Sequence, residues 1–260
     1  MMRYLILSSF FLLSFTFANS QDITTGEYLP MTYTSNETTL NYRILYPEGF
    51  DETKKYPLVL FLHGRGESGD DNVKQLVHGS QLFIDNMEKY PAIVLFPQCP
   101  VTDYWANIDR KETKNGLQFK FYSDREPNPS LAAVIALTND FLEKPFIDVD
   151  RLYVTGLSMG GMGTWELLGR MPEKIAAAAP ICGGGSKDLT PKMINVPIWA
   201  FHGVKDDVVP ARYSIMMVEG VQKAGGKAKI TLYPNANHNS WDPTFNDPKY
   251  LTWLFKHKRN

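Results

Sequence analysis

The stretch Gly156–Gly160, which reads Gly-Leu-Ser-Met-Gly, decides the fold of this chain. It follows Arg151–Thr155, a run rich in strand-forming residues, and precedes Gly161–Leu168, which is typical of a helix start. A serine between glycines at a strand-to-helix turn indicates a nucleophile elbow, which lifts the hydroxyl above the sheet edge. The helix start below it would point backbone N–H groups at a developing oxyanion. The alternative is a glycine-rich turn with an idle serine.

Short apolar runs recur along the chain, as expected for strands buried on both faces of a parallel sheet. They are Leu58–Leu62, Ala92–Phe96, Leu152–Val154, Ile175–Pro180, Ile198–Phe201 and Ile230–Tyr233. Helical patterns accompany them at Leu131–Leu142, Thr164–Arg170, Tyr213–Ala224 and Tyr250–His257, and Met31–Ser35 and Leu40–Tyr46 alternate like a hairpin. The pattern predicts a doubly wound, mostly parallel α/β sheet with antiparallel N-terminal strands. Functional residues should then follow the carboxyl ends of its strands.

The first twenty residues carry the marks of a secretory signal peptide. Arg3 precedes an apolar run over residues 4–17, and small residues, Ala18 and Ser20, precede the expected cleavage site after Ser20. The apolar run is too short to favour a membrane span. We therefore expect one catalytic domain over residues 21–260, located outside the cytoplasm (secreted or periplasmic); an uncleaved anchor is the alternative.

Charge and cysteine content narrow the function classes. With 27 basic and 28 acidic residues, the chain shows no bias towards nucleic acid or an anionic membrane surface. Export permits a disulfide between the only two cysteines, Cys99 and Cys182. The strands that they follow should not be neighbours, so two free, mostly buried thiols are expected.

An activated serine needs a base, and in this fold the base comes last in the chain. Three histidines follow Ser158. His257 lies in the final helical pattern, and His202 closes a strand before a glycine, which favours a structural role. His238 lies in the loop after the last strand, which can carry its imidazole over the serine. His238 is the predicted base.

The orienting carboxylate should follow the strand that ends at Phe201. Asp206 and Asp207 both meet this requirement, and periodicity does not separate them. One of the two is expected to be a turn or cap residue. The residues alone therefore leave the acid open between these neighbours.

Two backbone N–H groups are expected to form an oxyanion hole. One belongs to Met159, directly after the serine. The other belongs to the glycine-rich loop His63–Gly69, where Arg65 is the predicted donor. His63 itself precedes Ser158, which contradicts the expected chain order, so we interpret it as a packed structural histidine.

The longest stretch without a clear element is Val101–Pro129, which contains five aromatic residues: Tyr104, Trp105, Phe119, Phe121 and Tyr122. Such a stretch is either a binding loop or a surface segment whose aromatic side chains pack against the rest of the domain. We predict Trp105, together with Trp241 after the base, to bind substrate. Metal-binding and phosphate-binding spacings are absent from the sequence, so no metal and no cofactor are expected.

Taken together, these motifs resemble the α/β-hydrolase superfamily from about Tyr42 to the C-terminus. More narrowly the chain is similar to the secreted phospholipase/carboxylesterase-like group often labelled "predicted peptidase", which is related to feruloyl and acetyl-xylan esterases. The matching segments are residues 63–67, 71–72 with 75–76, 97–100 with Trp105, 156–161, 180–184, 202–210 and 238–241. The resemblance implies a triad of Ser158, Asp206 and His238, choosing the first aspartate, and it supports the Arg65 and Met159 amides.

The expected function is that of an exported serine esterase acting on short acyl or hydroxycinnamoyl esters, including esters on polysaccharide. The polysaccharide link comes from the resemblance alone. Two alternatives stay open: a serine peptidase of the same fold, and a binding protein that kept the fold without turnover. The expected partner is an ester substrate, either a small molecule or borne by polysaccharide. We expect neither nucleic acid binding nor membrane insertion, and the sequence leaves the oligomeric state open.

Overall fold

A computed structural model describes residues 24–35, 38–114 and 116–259. The predicted signal peptide, residues 1–20, lies outside the described residues. In the described part of the chain, no helix has the length and apolar character that crossing a membrane requires.

A single eight-stranded sheet organises the molecule, in the order β1-β2-β4-β3-β7-β8-β9-β10. The pairs from β4 across to β10 are parallel, whereas β1 and β2 are antiparallel to each other and β2 is antiparallel to β4. Its strands are β1 (Tyr28–Ser35), β2 (Thr38–Leu45), β3 (Tyr56–Leu62), β4 (Ile93–Pro97), β7 (Ile147–Leu157), β8 (Ile175–Ile181), β9 (Ile198–Gly203) and β10 (Ala228–Tyr233). The predicted α/β architecture with antiparallel N-terminal strands is confirmed.

Within the described residues, six α-helices accompany the sheet: α1 (Ser80–Asp85), α2 (Pro129–Leu142), α3 (Met159–Arg170), α4 (Arg212–Lys223), α5 (Trp241–Phe245) and α6 (Lys249–Phe255). The helices α2, α3 and α4 supply side chains to one large apolar core, and α1 and α6 supply side chains to a second. Both faces of the sheet are therefore covered, which explains why strands such as β3 and β8 are buried along their whole length.

Residues 101–129 differ from the sequence interpretation, because they are not free of regular structure. They contain an antiparallel hairpin of β5 (Ile108–Thr113) and β6 (Gly116–Phe121). Four of the six residues of β5 are exposed, so the strand carries no apolar run that would reveal it in the sequence. The hairpin packs on the body through Phe119, which contacts a small cluster with Met162 and Val209.

Candidate active site

Ser158 stands between β7 and α3 in a backbone conformation that residues other than glycine rarely adopt. Its φ is 54° and its ψ is −115°. The strain persists because the surrounding packing fixes the turn. A Cβ at Gly160 would lie 1.8 Å from the carbonyl oxygen of Leu62, so only glycine fits where α3 crosses β3. The local structure is thus the sharp strand-to-helix turn that the sequence predicted.

His238 reaches Ser158 from the loop after β10. Its Nε2 lies 2.9 Å from the Oγ of Ser158, which is hydrogen-bonding distance. The loop is tied to the one after β9 by the side-chain oxygen of Asn237, which accepts from the backbone N–H groups of His238 and Asp207. The imidazole edge therefore faces the serine from the carboxyl end of the sheet.

Asp206 completes the chain of hydrogen bonds. Its Oδ2 lies 2.8 Å from Nδ1 of His238, while its Oδ1 accepts the backbone N–H groups of Val208 (3.0 Å) and Val209 (2.8 Å). The side chain of Asp206 is buried, whereas that of Asp207 is exposed. The structure thus brings Ser158, His238 and Asp206 together and leaves Asp207 outside the arrangement.

The Asp206 carboxylate remains ionised despite its burial. Burial by itself raises the pKa of this group, but hydrogen bonds from His202 and His238 outweigh that effect and lower the pKa to about 2. A permanently charged carboxylate at Nδ1 fixes the tautomer of His238, with Nε2 free to accept a proton.

The two predicted oxyanion donors belong to the start of α3 and to the loop after β3, in which a Cβ on Gly64 would lie 3.6 Å from Cβ of Ser158. Met159 is the first residue of α3, and Arg65 begins a short 3-10 turn over Arg65–Glu67. Among the described residues, neither backbone N–H has a hydrogen-bond acceptor. Both amides are therefore available to a ligand oxygen.

The side chains of the oxyanion loop hold its backbone in place. Nδ1 of His63 donates to the carbonyl of Gly64, and its Nε2 accepts from the N–H of Cys99. Burial lowers the pKa of His63 to about 4, so the ring stays neutral in this tautomer. The guanidinium of Arg65 donates to the carbonyls of Val101 and Asp103. The structural role predicted for His63 agrees with these contacts.

His202 has a contact that the sequence did not reveal. Its Nε2 lies 3.1 Å from Oδ2 of Asp206, so one carboxylate oxygen faces two imidazoles. The ring is completely buried. The position of His202 at the end of a strand predicts a structural role, but no local sequence pattern shows which carboxylate it contacts.

The prediction that Trp105 binds substrate is wrong. Its side chain is 0% exposed and belongs to the large core, where it packs edge-on against His63 at 5.3 Å. Its Cβ would also lie 2.6 Å from a Cβ on Gly163, which shows how closely α3 covers it. The indole packs against His63 of the glycine-rich loop His63–Gly69 and presents no surface to a ligand.

One aromatic side chain borders the site. Trp241, predicted to bind substrate, is partly buried and packs edge-on against His238 with ring centroids 5.5 Å apart. A second aromatic pair, Phe121 from the hairpin and Tyr213 from α4, packs edge-on at 5.7 Å beside Met162 of α3. A separate cavity of about 370 Å³ is lined by Arg65, Tyr104 and Ile108, among others.

Both cysteines are free and buried, as predicted. Cys99 follows β4 and Cys182 follows β8, and two other strands separate these in the sheet. Burial raises the pKa of the Cys182 thiol well above its usual range. Cys182, Asp206 and His238 form the only candidate metal cluster in the described ranges, but the last two already bond each other.

Comparison with known proteins adds a family match. The dienelactone hydrolase family is matched over residues 86–246, which is more than half of the chain. A solved thermostable esterase shares 36% sequence identity and superposes with a TM-score of 0.78 over 89% of this chain and 63% of that one.

Two curated proteins are similar over part of their length. A bifunctional acetylxylan esterase/xylanase, XynS20E, from Neocallimastix patriciarum is 40% identical over 89 residues, or 32% of this chain and 12% of that protein. An uncharacterized secreted protein from Arthroderma benhamiae is 25% identical over 224 residues, covering 72% of this chain and 22% of the relative. This chain therefore spans less than a quarter of the length of either.

Proposed function

Because the chain belongs to the dienelactone hydrolase family of α/β-hydrolases, we propose that it is an exported serine esterase. Its proposed substrates are short acyl or hydroxycinnamoyl esters, including those carried by polysaccharide. The observation that carries the proposal is the continuous hydrogen-bonded line from Ser158 through His238 to Asp206, with distances of 2.9 and 2.8 Å. A binding protein has no need for this alignment.

The reaction follows from the geometry in two stages. Ser158 Oγ attacks the ester carbonyl while Nε2 of His238 takes the hydroxyl proton, and the ester oxygen becomes an oxyanion. The N–H groups of Met159 and Arg65 stabilise that charge. Collapse of the intermediate breaks the bond to the alcohol, which leaves with the proton from His238, and an acyl-enzyme remains.

Water then repeats the sequence on the acyl-enzyme. His238 takes one proton from the water as its oxygen adds to the acyl carbon. The second collapse breaks the bond to Ser158, whose Oγ regains a proton, and a carboxylic acid is released. Asp206 stays ionised throughout and stabilises the transient imidazolium.

One wall of the site supports the substrate class. Trp241, which packs edge-on against His238, offers an aromatic face that suits a sugar ring or a hydroxycinnamoyl group. Export is supported by the predicted signal peptide and by the similarity to a secreted fungal protein.

A substrate panel tests the proposal. We expect hydrolysis of p-nitrophenyl acetate and methyl ferulate, little turnover of p-nitrophenyl palmitate, and none of a peptide p-nitroanilide. A fluorophosphonate should label Ser158, which mass spectrometry of the peptide would show. A protein that labels but cleaves only the anilide would be a peptidase, and one that neither labels nor cleaves would be a binding protein.

A further inference from the structure

A second imidazole lies on the carboxylate of Asp206. His202, at the end of β9, places Nε2 3.1 Å from Oδ2 of Asp206 and 2.7 Å from the carbonyl oxygen of Val209. A carbonyl and an ionised carboxylate are both acceptors, so Nε2 of His202 must carry a proton and donate. Its single N–H is shared between these two acceptors, and Oδ2 of Asp206 lies beside both His202 and His238.

The ring of His202 is fixed from its other side as well. Its Nδ1 lies 2.7 Å from Oγ of Ser214 on α4, and that oxygen lies 2.6 Å from the carbonyl oxygen of Gly183. The imidazole is completely buried between these partners. It links the strand end, the helix α4 and the loop after β8 to the carboxylate.

Donors surround the Asp206 carboxylate. Oδ1 accepts two backbone amides, and Oδ2 accepts from Nδ1 of His238 and lies 3.1 Å from Nε2 of His202, whose N–H it shares with the carbonyl of Val209. These four groups hold the carboxylate in one orientation. The bond from His202 also withdraws negative charge from the oxygen that stabilises a proton on His238.

We infer that His202 is a positioning residue that orients Asp206 and, through the shared Oδ2, sets how strongly this carboxylate interacts with His238. This role rests on the proposed esterase function. Its consequence is that loss of the contact between His202 and Asp206 should move the acid limb of the pH–rate profile to higher pH.

Few other titratable groups face this pair. Burial keeps the nearby Cys182 thiol neutral by raising its pKa. On α4, Arg212 lies over the ring of Tyr213 at 4.8 Å. The contacts of the His202 ring with charged groups are thus limited, in the described structure, to Asp206, whose other imidazole partner is His238.

Two amide substitutions separate this role from a structural one. In His202→Gln the side-chain nitrogen can take the place of Nε2 and still donate to Asp206. In His202→Asn the shorter amide can replace only Nδ1, so it keeps Ser214 and loses Asp206. The measurement is the pH profile of kcat/KM for p-nitrophenyl acetate, normalised to the sites that a fluorophosphonate titrates, with His257→Asn as a remote control.

The expected result is an acid limb that moves to higher pH by about one unit in His202→Asn, with kcat lowered about tenfold. His202→Gln should stay close to the wild-type profile, and His257→Asn should match it. If His202→Asn does not fold, Ser214→Ala loosens the same ring and should move the limb in the same direction by less.

Identical acid limbs in the wild type, His202→Gln and His202→Asn, or in the wild type and Ser214→Ala, would overturn the inference. Loss of titratable sites without a shift would indicate a structural role only. In each of these cases wild-type hydrolysis of the acetate ester still upholds the proposed function. A wild type that cleaves no ester would defeat the proposed function itself.

Discussion

Oδ2 of Asp206 lies 2.8 Å from Nδ1 of His238, and the two side chains meet although 32 residues separate them. The strand β10 pairs in parallel with β9, which brings the loops that follow them side by side. The adjacent Asp207 points into solvent. The residues alone did not show whether Asp206 or Asp207 orients His238, and the geometry favours Asp206.

Substitution of each aspartate should therefore give opposite results. Asp206→Asn leaves the shape of the site but offers Nδ1 no charged acceptor, so kcat should fall by roughly 10⁴-fold. Asp207→Asn, its matched control, should keep kcat within about twofold because the side chain is exposed. Steady-state kinetics on p-nitrophenyl acetate compare the two, and a larger loss in Asp207→Asn would contradict the assignment.

Ser158→Ala should remove nearly all turnover and leave the fold intact. The nucleophile is lost, and only binding and the oxyanion amides remain, so kcat should drop by on the order of 10⁴-fold or more. Circular dichroism and thermal unfolding should match the wild type. Ser123→Ala, on the loop before α2, controls for the loss of a hydroxyl. Activity of Ser158→Ala within tenfold of the wild type would exclude Ser158 as the nucleophile.

The pH dependence of the rate should follow a histidine and not a carboxylate. The pKa of Asp206 is lowered to about 2, so this group stays charged throughout the working range. A neutral imidazole is required to take the serine proton, so kcat/KM should fall with a single ionisation as pH is lowered, while Asp206 keeps its charge. A rate that stays flat down to pH 4 would speak against a histidine base.

The contribution of Asp206 to the free energy of unfolding should change with pH in a more acidic range than the rate does. The folded-state pKa of about 2 lies below the value of about 3.9 in an unfolded chain. The carboxylate thus stabilises the fold above pH 4, and that contribution is lost as pH falls through 2. The difference in free energy of unfolding between the wild type and Asp206→Asn should shrink between these values in urea titrations. A difference that grows towards pH 2 would contradict the direction of the shift.

Much of the fold could be read from the sequence because burial leaves a strong pattern. Strands buried on both faces, such as β3 and β8, appear as continuous apolar runs. The elbow at Ser158 is equally visible, since a turn this tight admits only small neighbours, as the contact between Gly160 and Leu62 shows.

Features that depend on contacts between distant segments could not be predicted from the sequence. The strand β5 of the hairpin is polar on most positions, so its pairing is hidden, although its partner β6 alternates Leu117, Phe119 and Phe121 with polar residues. The bond from His202 to Asp206 depends on the conformation of the turn after β9, which apolar patterns do not specify. For an aromatic residue in an apparent loop, such as Trp105, the sequence does not distinguish a buried position from an exposed one.

The two tryptophans assigned to substrate in the sequence should respond in opposite ways to truncation. Trp105 is 0% exposed in the core, so Trp105→Ala leaves a large cavity and should lower the free energy of unfolding by about 3–5 kcal/mol. Trp241 is partly buried and touches His238, so Trp241→Ala should cost less stability and instead lower kcat/KM.

Urea denaturation measures the loss of stability in Trp105→Ala. Kinetics on methyl ferulate and p-nitrophenyl acetate measure the effect of Trp241→Ala, which should impair the aromatic ester more. If Trp105→Ala were stable and selectively lost the ferulate ester, the buried position of its indole would be contradicted. An equal loss on both esters in Trp241→Ala would confine that residue to packing against the base.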